Sequence, residues 1–355
     1  RHSFPTRRSS DLSKIGVLLV NLGTPDSPSP KDVKSYLKEF LTDKRVIDYP
    51  WLIRQALVRG FVIPRRYRES AHFYKKIWTA EGSPLLVYGK KVKQLLQKKL
   101  GDSYCVELGM RYKNPSLELT LSRLQDCKQI IVVPLFPQYA SATTGSVHQA
   151  IMNIISKWLV VPDLCFIQSY PTQPTMIDAF CEIASEYNPD TYDHFLFSFH
   201  GLPERHILKA DKTNMCLKNK DCCKNFCSKN ENCYSAQCYA TASSIVKKLN
   251  LKENFYSLSF QSRLGKEPWL KPYTSEVLSD LIKKGCKKIL VICPAFICDC
   301  IETIHEISVE YREEFLRLGG ESLQLVRGLN DHPTWIRALA ELVESRTIQK
   351  VDYNG

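Results

Sequence analysis

The sequence alternates short apolar runs with longer amphipathic segments along nearly its whole length. The apolar, β-branched runs have the length of buried strands, and the segments between them repeat apolar residues at helical spacing. This alternation is typical of an α/β protein with parallel sheets, because parallel strands need helical crossovers and are buried on both faces. The predicted strands are residues 14–22, 104–110, 129–136, 164–169, 194–200, 255–261, 287–296 and 323–328.

The second half of the chain repeats features of the first. The first predicted strand of one half ends in VNLGTP and that of the other ends in SFHGLP, so Gly23 corresponds to Gly201. VVPLF at 132–136 likewise corresponds to ICPAF at 292–296. We therefore predict two similar doubly wound domains with a seam near 170–190. In such sheets, ligands bind beyond the C-terminal ends of the strands.

Composition indicates a soluble, basic protein. The longest apolar runs are far shorter than the roughly 20 residues that a membrane-spanning helix needs. Residues 1–12 lack the apolar region of a signal peptide and are predicted to be a non-native, adaptor-like leader. We expect a cytoplasmic location with reduced thiols, and peripheral contact with the inner membrane as a further expectation. The formal net charge of +12 favours an anionic partner, but no nucleic-acid motif is recognised, so nucleic acid is not an expected partner.

A histidine ends one of the predicted strands, at the sheet edge where a pocket is expected. His200 lies in FSFHGLPERH, and an imidazole with an ordinary pKa near 6.5 can accept a proton at neutral pH. A packed, hydrogen-bonded histidine is the alternative.

An acidic helix is predicted after the strand at 287–296. Asp299 precedes it, and Glu302, Glu306 and Glu310 follow at i, i+4 and i+8, which places the three glutamates on one face of an α-helix. A solvated acidic face is one interpretation, and favourable interaction of Glu302 with the helix dipole is another. The apolar residues around them indicate that part of this face lines a cleft.

Two further segments carry binding chemistry. The loop FPQYASATTGS at 136–146 leads from a strand into a helix, so its hydroxyl groups and amides can hold an anion such as a carboxylate. The segment at 49–78 mixes aromatic residues with five arginines. It can rest on a membrane surface or flank a flat, anionic ligand.

Six cysteines lie within 23 residues in CLKNKDCCKNFCSKNENCYSAQC, residues 216–238. Their spacing matches neither the paired pattern of common zinc sites nor the ferredoxin patterns. The accompanying lysines favour thiolates and offset the charge of a metal–thiolate centre. An iron–sulfur cluster, a zinc site and free thiols are all open interpretations.

Taken together, these motifs resemble those of the ferrochelatase family over residues 14–346. They include LLVNLGTPDSP, EGSPL, GMRYKNPS, FPQYASATTGS, SFHGLPERH, FQSRLGKEPWLKP, IETIHEISVEY and LNDHP in the family's order. The resemblance implies an enzyme that inserts Fe(II) into a porphyrin, and two Rossmann-like, chelatase-type domains with four-stranded parallel sheets around a porphyrin cleft. The expected domains are 13–175 and 176–328, the second with a cysteine insert at 212–238. A C-terminal helix at 329–347 is expected to pack back on the first domain.

The resemblance also implies roles for individual residues. His200 is the expected catalytic base and Glu302 its partner across the cleft, both as ligands of the substrate iron. Asp299 and Glu306 form the expected supporting acidic path. The expected porphyrin-binding residues are Leu22, Arg65, Arg66, Tyr139, Ser141, Thr143 and Trp269. Leu22 favours protoporphyrin IX, because a tyrosine accompanies the coproporphyrin-using branch at this position. Coproporphyrin III, or cobalt or nickel chelation, is the alternative.

Some bacterial ferrochelatases hold a [2Fe–2S] cluster in an internal segment at the place of the cysteine-rich stretch, so the resemblance implies such a cluster here. Only four of the six thiolates can be ligands. The expected ligands are Cys216, Cys223, Cys233 and Cys238, with Cys222 and Cys227 as alternates. The expected partners are therefore porphyrin, iron and a membrane surface, and neither the residues nor the resemblance indicates an oligomeric state.

Overall fold

The computed structural model describes residues 14–219, 221–265 and 267–348, so the predicted leader at 1–12 lies outside the described residues. Eight strands of the described chain form two four-stranded sheets in which all neighbouring strands are parallel. The first sheet contains β1 (Ile15–Gly23), β2 (Tyr104–Tyr112), β3 (Gln129–Pro134) and β4 (Asp163–Phe166). The second contains β5 (His194–His200), β6 (Tyr256–Gln261), β7 (Lys288–Ile292) and β8 (Ser322–Leu325). All eight predicted strands are present, and the predicted α/β class is confirmed.

The two sheets have the same topology. Their strand orders are β2-β1-β3-β4 and β6-β5-β7-β8, so the first strand of each half lies second in its sheet. The connections therefore change direction between β1 and β3, and again between β5 and β7. Ligands of doubly wound sheets bind beyond the strand ends at such switch points.

Twelve α-helices of the described chain connect and cover the sheets. In the first half these are α1 (Pro30–Leu41), α2 (Trp51–Gln55), α3 (Ile63–Ile77), α4 (Pro84–Leu100), α5 (Leu117–Leu124), α6 (Ser146–Ile155) and α7 (Pro174–Ser185). In the second half these are α8 (Glu204–Ala210), α9 (Tyr234–Leu249), α10 (Thr274–Lys283), α11 (Arg312–Arg317) and α12 (Pro333–Glu344). Three segments are π-helical: Ala56–Val62, Ser141–Gly145 and Glu302–Tyr311. No helix of the described residues combines the length and apolarity needed to cross a bilayer.

One core cluster includes side chains from both sheets. Val17 of β1 and Phe197 of β5 belong to it and are fully buried. Helix α12 packs against α4 and α7, where the fully buried Trp335 stacks on Tyr170 with ring centroids 6.3 Å apart. Helix α12 therefore covers helices of the first half.

Corresponding glycines end the central strands of both halves for the same steric reason. A Cβ at Gly23 would lie 2.2 Å from the carbonyl oxygen of Tyr112, at the end of β2. A Cβ at Gly201 would lie 2.9 Å from the carbonyl oxygen of Gln261, at the end of β6. Each glycine lets the central strand approach its neighbour closely at the sheet edge where the switch point lies.

Candidate active site

The side chain of His200 is held by the main chain directly after β5. Its Nδ1 lies 2.6 Å from the carbonyl oxygen of Gly201. A carbonyl can only accept, so Nδ1 carries the hydrogen and Nε2 of the neutral ring keeps a free lone pair. Burial lowers the pKa of His200, and the opposing effects of Glu302 and of the Gly201 carbonyl do not reverse this shift. The ring is therefore neutral near pH 7 and can accept a proton through Nε2.

Two aromatic rings flank His200. The ring centroids of Trp269 and Phe296 lie 6.4 Å and 6.2 Å from that of the imidazole. The main chain around Trp269 is fixed by a hydrogen bond from the Leu270 N–H to the carbonyl of Leu202, at 2.9 Å. The indole N–H of Trp269 is buried and has no hydrogen-bond partner among the described residues. These rings form an apolar surface suited to a flat aromatic ligand.

Glu302 lies between His200 and an aromatic cluster of the first half. Its charge acts on His200, and burial together with this charge raises the pKa of Tyr36. Leu22 at the end of β1 packs in the same cluster as Tyr36 and Ile301, so it lies on the Glu302 side of the site. The structure thus brings the predicted base, its acidic partner and Leu22 to one region between the two halves.

The predicted acidic helix is π-helical rather than α-helical over Glu302–Tyr311. A π-helix closes i to i+5 hydrogen bonds. Glu306 faces the end of β6, whereas Glu310 lies 3.6 Å from Nδ1 of His305. The predicted helix is therefore present, but its type differs from the expected α-helix.

The two supporting carboxylates have different surroundings. Glu306 accepts hydrogen bonds from Ser262 at 2.5 Å and from Gln261 at 3.1 Å, and burial raises its pKa despite these bonds. Asp299 accepts from Asn330 at 2.7 Å and from the Gly328 N–H at 3.1 Å. The side chain of Asp299 therefore fixes the loop before α12, while that of Glu306 bonds to Gln261, the β6 partner of His200.

The predicted anion-binding loop is contacted by the guanidinium of Arg45, which the sequence did not indicate as a site residue. Ser141 accepts a hydrogen bond from the Arg45 guanidinium at 3.0 Å. The same guanidinium lies 3.1 Å from the position of a Cβ at Gly145, near the hydroxyl of Tyr139. Thr143 lies in the same π-helical turn. A run of polar residues predicted the loop, but a guanidinium from 96 positions away in the sequence left no local signal.

Two of the predicted porphyrin-binding residues, Arg65 and Arg66, lie on α3. Arg65 and Arg66 are exposed, and the Arg65 guanidinium stacks on the ring of Phe61 at 3.8 Å. Phe61 is itself 59% exposed. These two arginines therefore lie on a surface that combines exposed aromatic and cationic groups.

The cysteine segment brings several thiols together at the start of α9. Hydrogen bonds from Cys223 and Cys216 contribute to the lowering of the Cys233 pKa to about 6. Cys222 lies 3.7 Å from Cys223, sulfur to sulfur. Cys238, in contrast, is fully buried one turn into α9, and its thiol bonds with Tyr234. Cys227 is exposed.

No group of three or more cysteine, histidine or acidic side chains in the described chain is arranged as a metal-ion site. The proximity of the four thiols Cys216, Cys222, Cys223 and Cys233 nonetheless provides an all-sulfur donor set, which is the set that iron–sulfur clusters use.

Comparison with known proteins identifies the family. The ferrochelatase family model matches residues 14–347. The chain belongs to the ferrochelatase family. It is 45% identical to a ferrochelatase of Coxiella burnetii over 335 residues, covering 94% of each chain. It is 44% identical to a ferrochelatase of Legionella pneumophila over 331 residues, covering 93% of this chain and 99% of the relative. The solved structure of SirB from Bacillus subtilis with Fe³⁺ matches with a TM-score of 0.48 at 12% identity, covering 94% of this chain and 95% of that one.

The family resemblance inferred from the motifs is thus confirmed, and with it an enzyme of the metal chelatase class. In this ferrochelatase-family chain, the motif residues His200 and Glu302 lie close enough for the charge of Glu302 to act on the imidazole. Gln261, the β6 partner of His200, donates to the Glu302 carbonyl at 2.9 Å. Two neighbours of His200 were not indicated by the motifs. The ring of Phe296 lies beside the imidazole, and the hydroxyl of Tyr234 donates to the His200 carbonyl at 2.8 Å.

We predict that Gly201→Ala lowers iron insertion about tenfold, because a misplaced catalytic group loses rate steeply with displacement. The new Cβ would lie 2.9 Å from the Gln261 carbonyl oxygen and 3.2 Å from Cε3 of Trp269, so β5, β6 or the indole must move. Steady-state assays with circular dichroism to verify folding measure the effect. Gly60→Ala is the matched control, because nothing lies within 4 Å of its Cβ position. Turnover within twofold of wild type for Gly201→Ala would contradict the steric argument.

Proposed function

We propose that the protein inserts Fe(II) into protoporphyrin IX to give protohaem and two protons, the last step of haem synthesis. The single observation that carries this proposal is the hydrogen bond of the His200 Nδ1 to the Gly201 carbonyl, which leaves Nε2 free beside two aromatic rings and within reach of the charge of Glu302. Metal insertion requires the loss of two pyrrole N–H protons, so a base beside the flat ring is the essential group.

In this mechanism His200 acts as the base. The Gly201 carbonyl keeps the proton on Nδ1 and directs Nε2 towards the porphyrin. Because burial lowers the pKa of His200, the ring is neutral before the reaction and takes its proton only from the substrate. Trp269 and Phe296 hold the macrocycle in position beside it.

Glu302 delivers the substrate iron from the other side. Iron(II) accepts imidazole and carboxylate ligands, and a carboxylate also balances the charge of the arriving cation. Glu306 follows on the same helix, with its raised pKa and its hydrogen bonds to Ser262 and Gln261. A carboxyl group whose pKa is raised by burial takes up a proton more readily than an ordinary glutamate, so we assign it to proton exit.

The surroundings of the site favour protoporphyrin IX over coproporphyrin III. Leu22 packs with Tyr36 and Ile301, an apolar surface that suits vinyl groups better than carboxylates. Ser141 and Arg45 offer hydrogen bonds and positive charge to a propionate instead. A cleft fixed on several sides can also bend the macrocycle towards the transition state, and thereby help iron to enter.

We predict that His200→Ala lowers iron insertion by at least about a hundredfold, because it removes the base while leaving a small side chain at a strand end. Purified protein is mixed anaerobically with Fe²⁺ and protoporphyrin IX, and the loss of porphyrin fluorescence is followed. Parallel assays use coproporphyrin III, Co²⁺ and Ni²⁺. Near-normal turnover of the variant would refute the assignment, and faster wild-type turnover of coproporphyrin III would refute the substrate choice.

Glu302→Gln is the companion variant, since it keeps the shape of the side chain and removes its charge. We expect iron insertion to fall about tenfold or more, with porphyrin binding retained. A mild effect would restrict Glu302 to stabilising the helix start.

We also propose that the cysteine segment holds a [2Fe–2S] cluster, with Cys216, Cys222, Cys223 and Cys233 as ligands. The contacts among these thiols support this set. The burial of Cys238 and the bond of its thiol with Tyr234 favour Cys222 over Cys238 as the fourth ligand. When bound, the cluster would cross-link the segment through iron–thiolate bonds.

The cluster is tested by iron and acid-labile sulfide analysis together with the visible spectrum. We predict that Cys216→Ser, Cys222→Ser, Cys223→Ser and Cys233→Ser each remove the visible bands. Cys227→Ser and Cys238→Ser should retain them, the first because its thiol is exposed and lies outside the thiol group. A colourless wild-type protein with stoichiometric zinc would overturn the cluster. If Cys238→Ser loses the bands while Cys227→Ser keeps them, Cys238 is a ligand after all.

We further propose that the segment around α2 rests on a membrane surface. Trp51, Leu52 and Ile53 are consecutive and 63%, 73% and 57% exposed. Phe61 extends this apolar surface, with the exposed Arg65 stacked on it. Apolar side chains combined with nearby arginines match the requirements of an anionic lipid surface, and they support a cytoplasmic enzyme held peripherally at the inner membrane.

We predict that the triple variant Trp51→Ser, Leu52→Ser, Ile53→Ser reduces binding to anionic phosphatidylglycerol vesicles at least fivefold in flotation assays. Leu159→Ser with Val160→Ser is the matched control, because these side chains are also highly exposed, at 100% and 75%. Equal loss in both variants would contradict a specific membrane-facing segment.

A further inference from the structure

The first turn of α9 connects the cysteine segment to the candidate base. Helix α9 begins at Tyr234, directly after Cys233. The Tyr234 side chain is buried, and its hydroxyl donates to the carbonyl oxygen of His200 at 2.8 Å. A residue adjacent to one of the clustered thiols therefore bonds to the main chain of the residue proposed as the base.

The peptide between His200 and Gly201 is fixed at both ends. Its carbonyl accepts from Tyr234, and its N–H donates to the carbonyl of Gln261 at 2.8 Å. The next carbonyl, that of Gly201, accepts from Nδ1 of the imidazole. Rotation of this peptide would move the acceptor that orients the ring. The hydrogen bond from Tyr234 thus helps to fix the direction in which Nε2 of His200 points.

One turn further along α9, Gln237 connects the segment to the opposite loop. Its side chain is fully buried. Its Oε1 accepts from the Tyr139 N–H at 2.7 Å, and its Nε2 donates to the Glu231 carbonyl at 2.5 Å. One amide group therefore joins the main chain of the cysteine segment to the loop that carries the expected porphyrin-binding residues Tyr139, Ser141 and Thr143.

The other end of this connection lies among the thiols. Cys216 and Cys223 both hydrogen-bond with Cys233, which precedes α9. Cys223 also lies 3.2 Å from the hydroxyl of Ser235, in the first turn of the helix. Movement of the thiol group would consequently move the start of α9.

We propose that Tyr234 and Gln237 are positioning residues that couple the cysteine segment to the two sides of the porphyrin cleft. Tyr234 fixes the orientation of His200, and Gln237 fixes the loop at Tyr139. This inference rests on the proposed ferrochelatase activity, and it assigns the cysteine segment the task of holding the cleft in its active geometry.

The alternative is that both side chains merely fill the core. A buried hydroxyl and a buried amide need hydrogen-bond partners, but partners within their own helix would meet that need. Both instead bond to main-chain groups of the loops at the two strand ends, 34 and 98 residues away in the sequence. Experiments can distinguish a positioning role of these side chains from mere filling of the core.

The first measurement compares Tyr234→Phe with Tyr239→Phe. Both variants remove one hydroxyl from α9, but only the first removes the bond to His200. For Tyr234→Phe we expect kcat to fall about tenfold with the KM for protoporphyrin IX within twofold, because orientation of the base affects the chemical step. Tyr239→Phe should match the wild type. Equal kinetics of all three proteins would overturn the role of Tyr234.

Gln237→Leu keeps the size of the side chain and removes both of its hydrogen bonds. We expect its dissociation constant for protoporphyrin IX, measured without iron by fluorescence quenching, to rise about fivefold. An unchanged dissociation constant would overturn the role of Gln237.

The coupling itself is tested by a double-mutant cycle with Cys216→Ser, using the same iron-free binding measurement. If the segment acts through α9, Cys216→Ser raises the dissociation constant for porphyrin when it is introduced into the wild type. In the double variant that carries both Tyr234→Phe and Gln237→Leu, the same substitution changes this constant less than twofold. Additive effects would overturn the coupling. A wild-type protein that neither binds porphyrin nor inserts iron would instead refute the proposed function, and the positioning role with it.

Discussion

The close approach of β5 and β6 at Gly201 determines where the candidate base lies. The Gly201 N–H bonds to the carbonyl of Gln261, and the Gly201 carbonyl receives the proton-bearing nitrogen of His200. A side chain at Gly201 would prevent this approach. Main-chain groups at these two strand ends therefore select the tautomer of the base, and the hydroxyl of Tyr234 bonds to the carbonyl of His200 itself.

Burial shifts the pKa values of the histidine and of a neighbouring carboxyl group in opposite directions. The desolvation that keeps His200 neutral also raises the pKa of Glu306. A neutral imidazole with carboxyl groups nearby suits a reaction that brings in a dication and releases two protons. Glu306 of the π-helix at Glu302–Tyr311 accepts a hydrogen bond from Gln261 at the end of β6.

Local pattern predicted the strands and the edge at which the site forms, because burial on both faces produces continuous apolar runs and polar residues collect where strands end. It did not predict the π-helix, since glutamates four residues apart look the same in either helix type. It also missed Arg45, Tyr234 and Gln237. Their roles depend on contacts with residues 96, 34 and 98 positions away, and such contacts arise only after the sheets have formed.

The repeated topology explains where the chain carries its additional segments. In each half, the connection after the central strand lies over the switch point, so an insertion there is close to the ligand without disturbing the sheet. After β1 this connection contains the exposed aromatic and basic segment around α2. After β5 it contains the cysteine segment and ends at α9. The two proposed accessory features, a membrane contact and a metal cluster, thus occupy corresponding positions in the two halves. In the second half the helix that follows bonds directly to the carbonyl of His200, which gives that segment direct contact with the main chain of the proposed base.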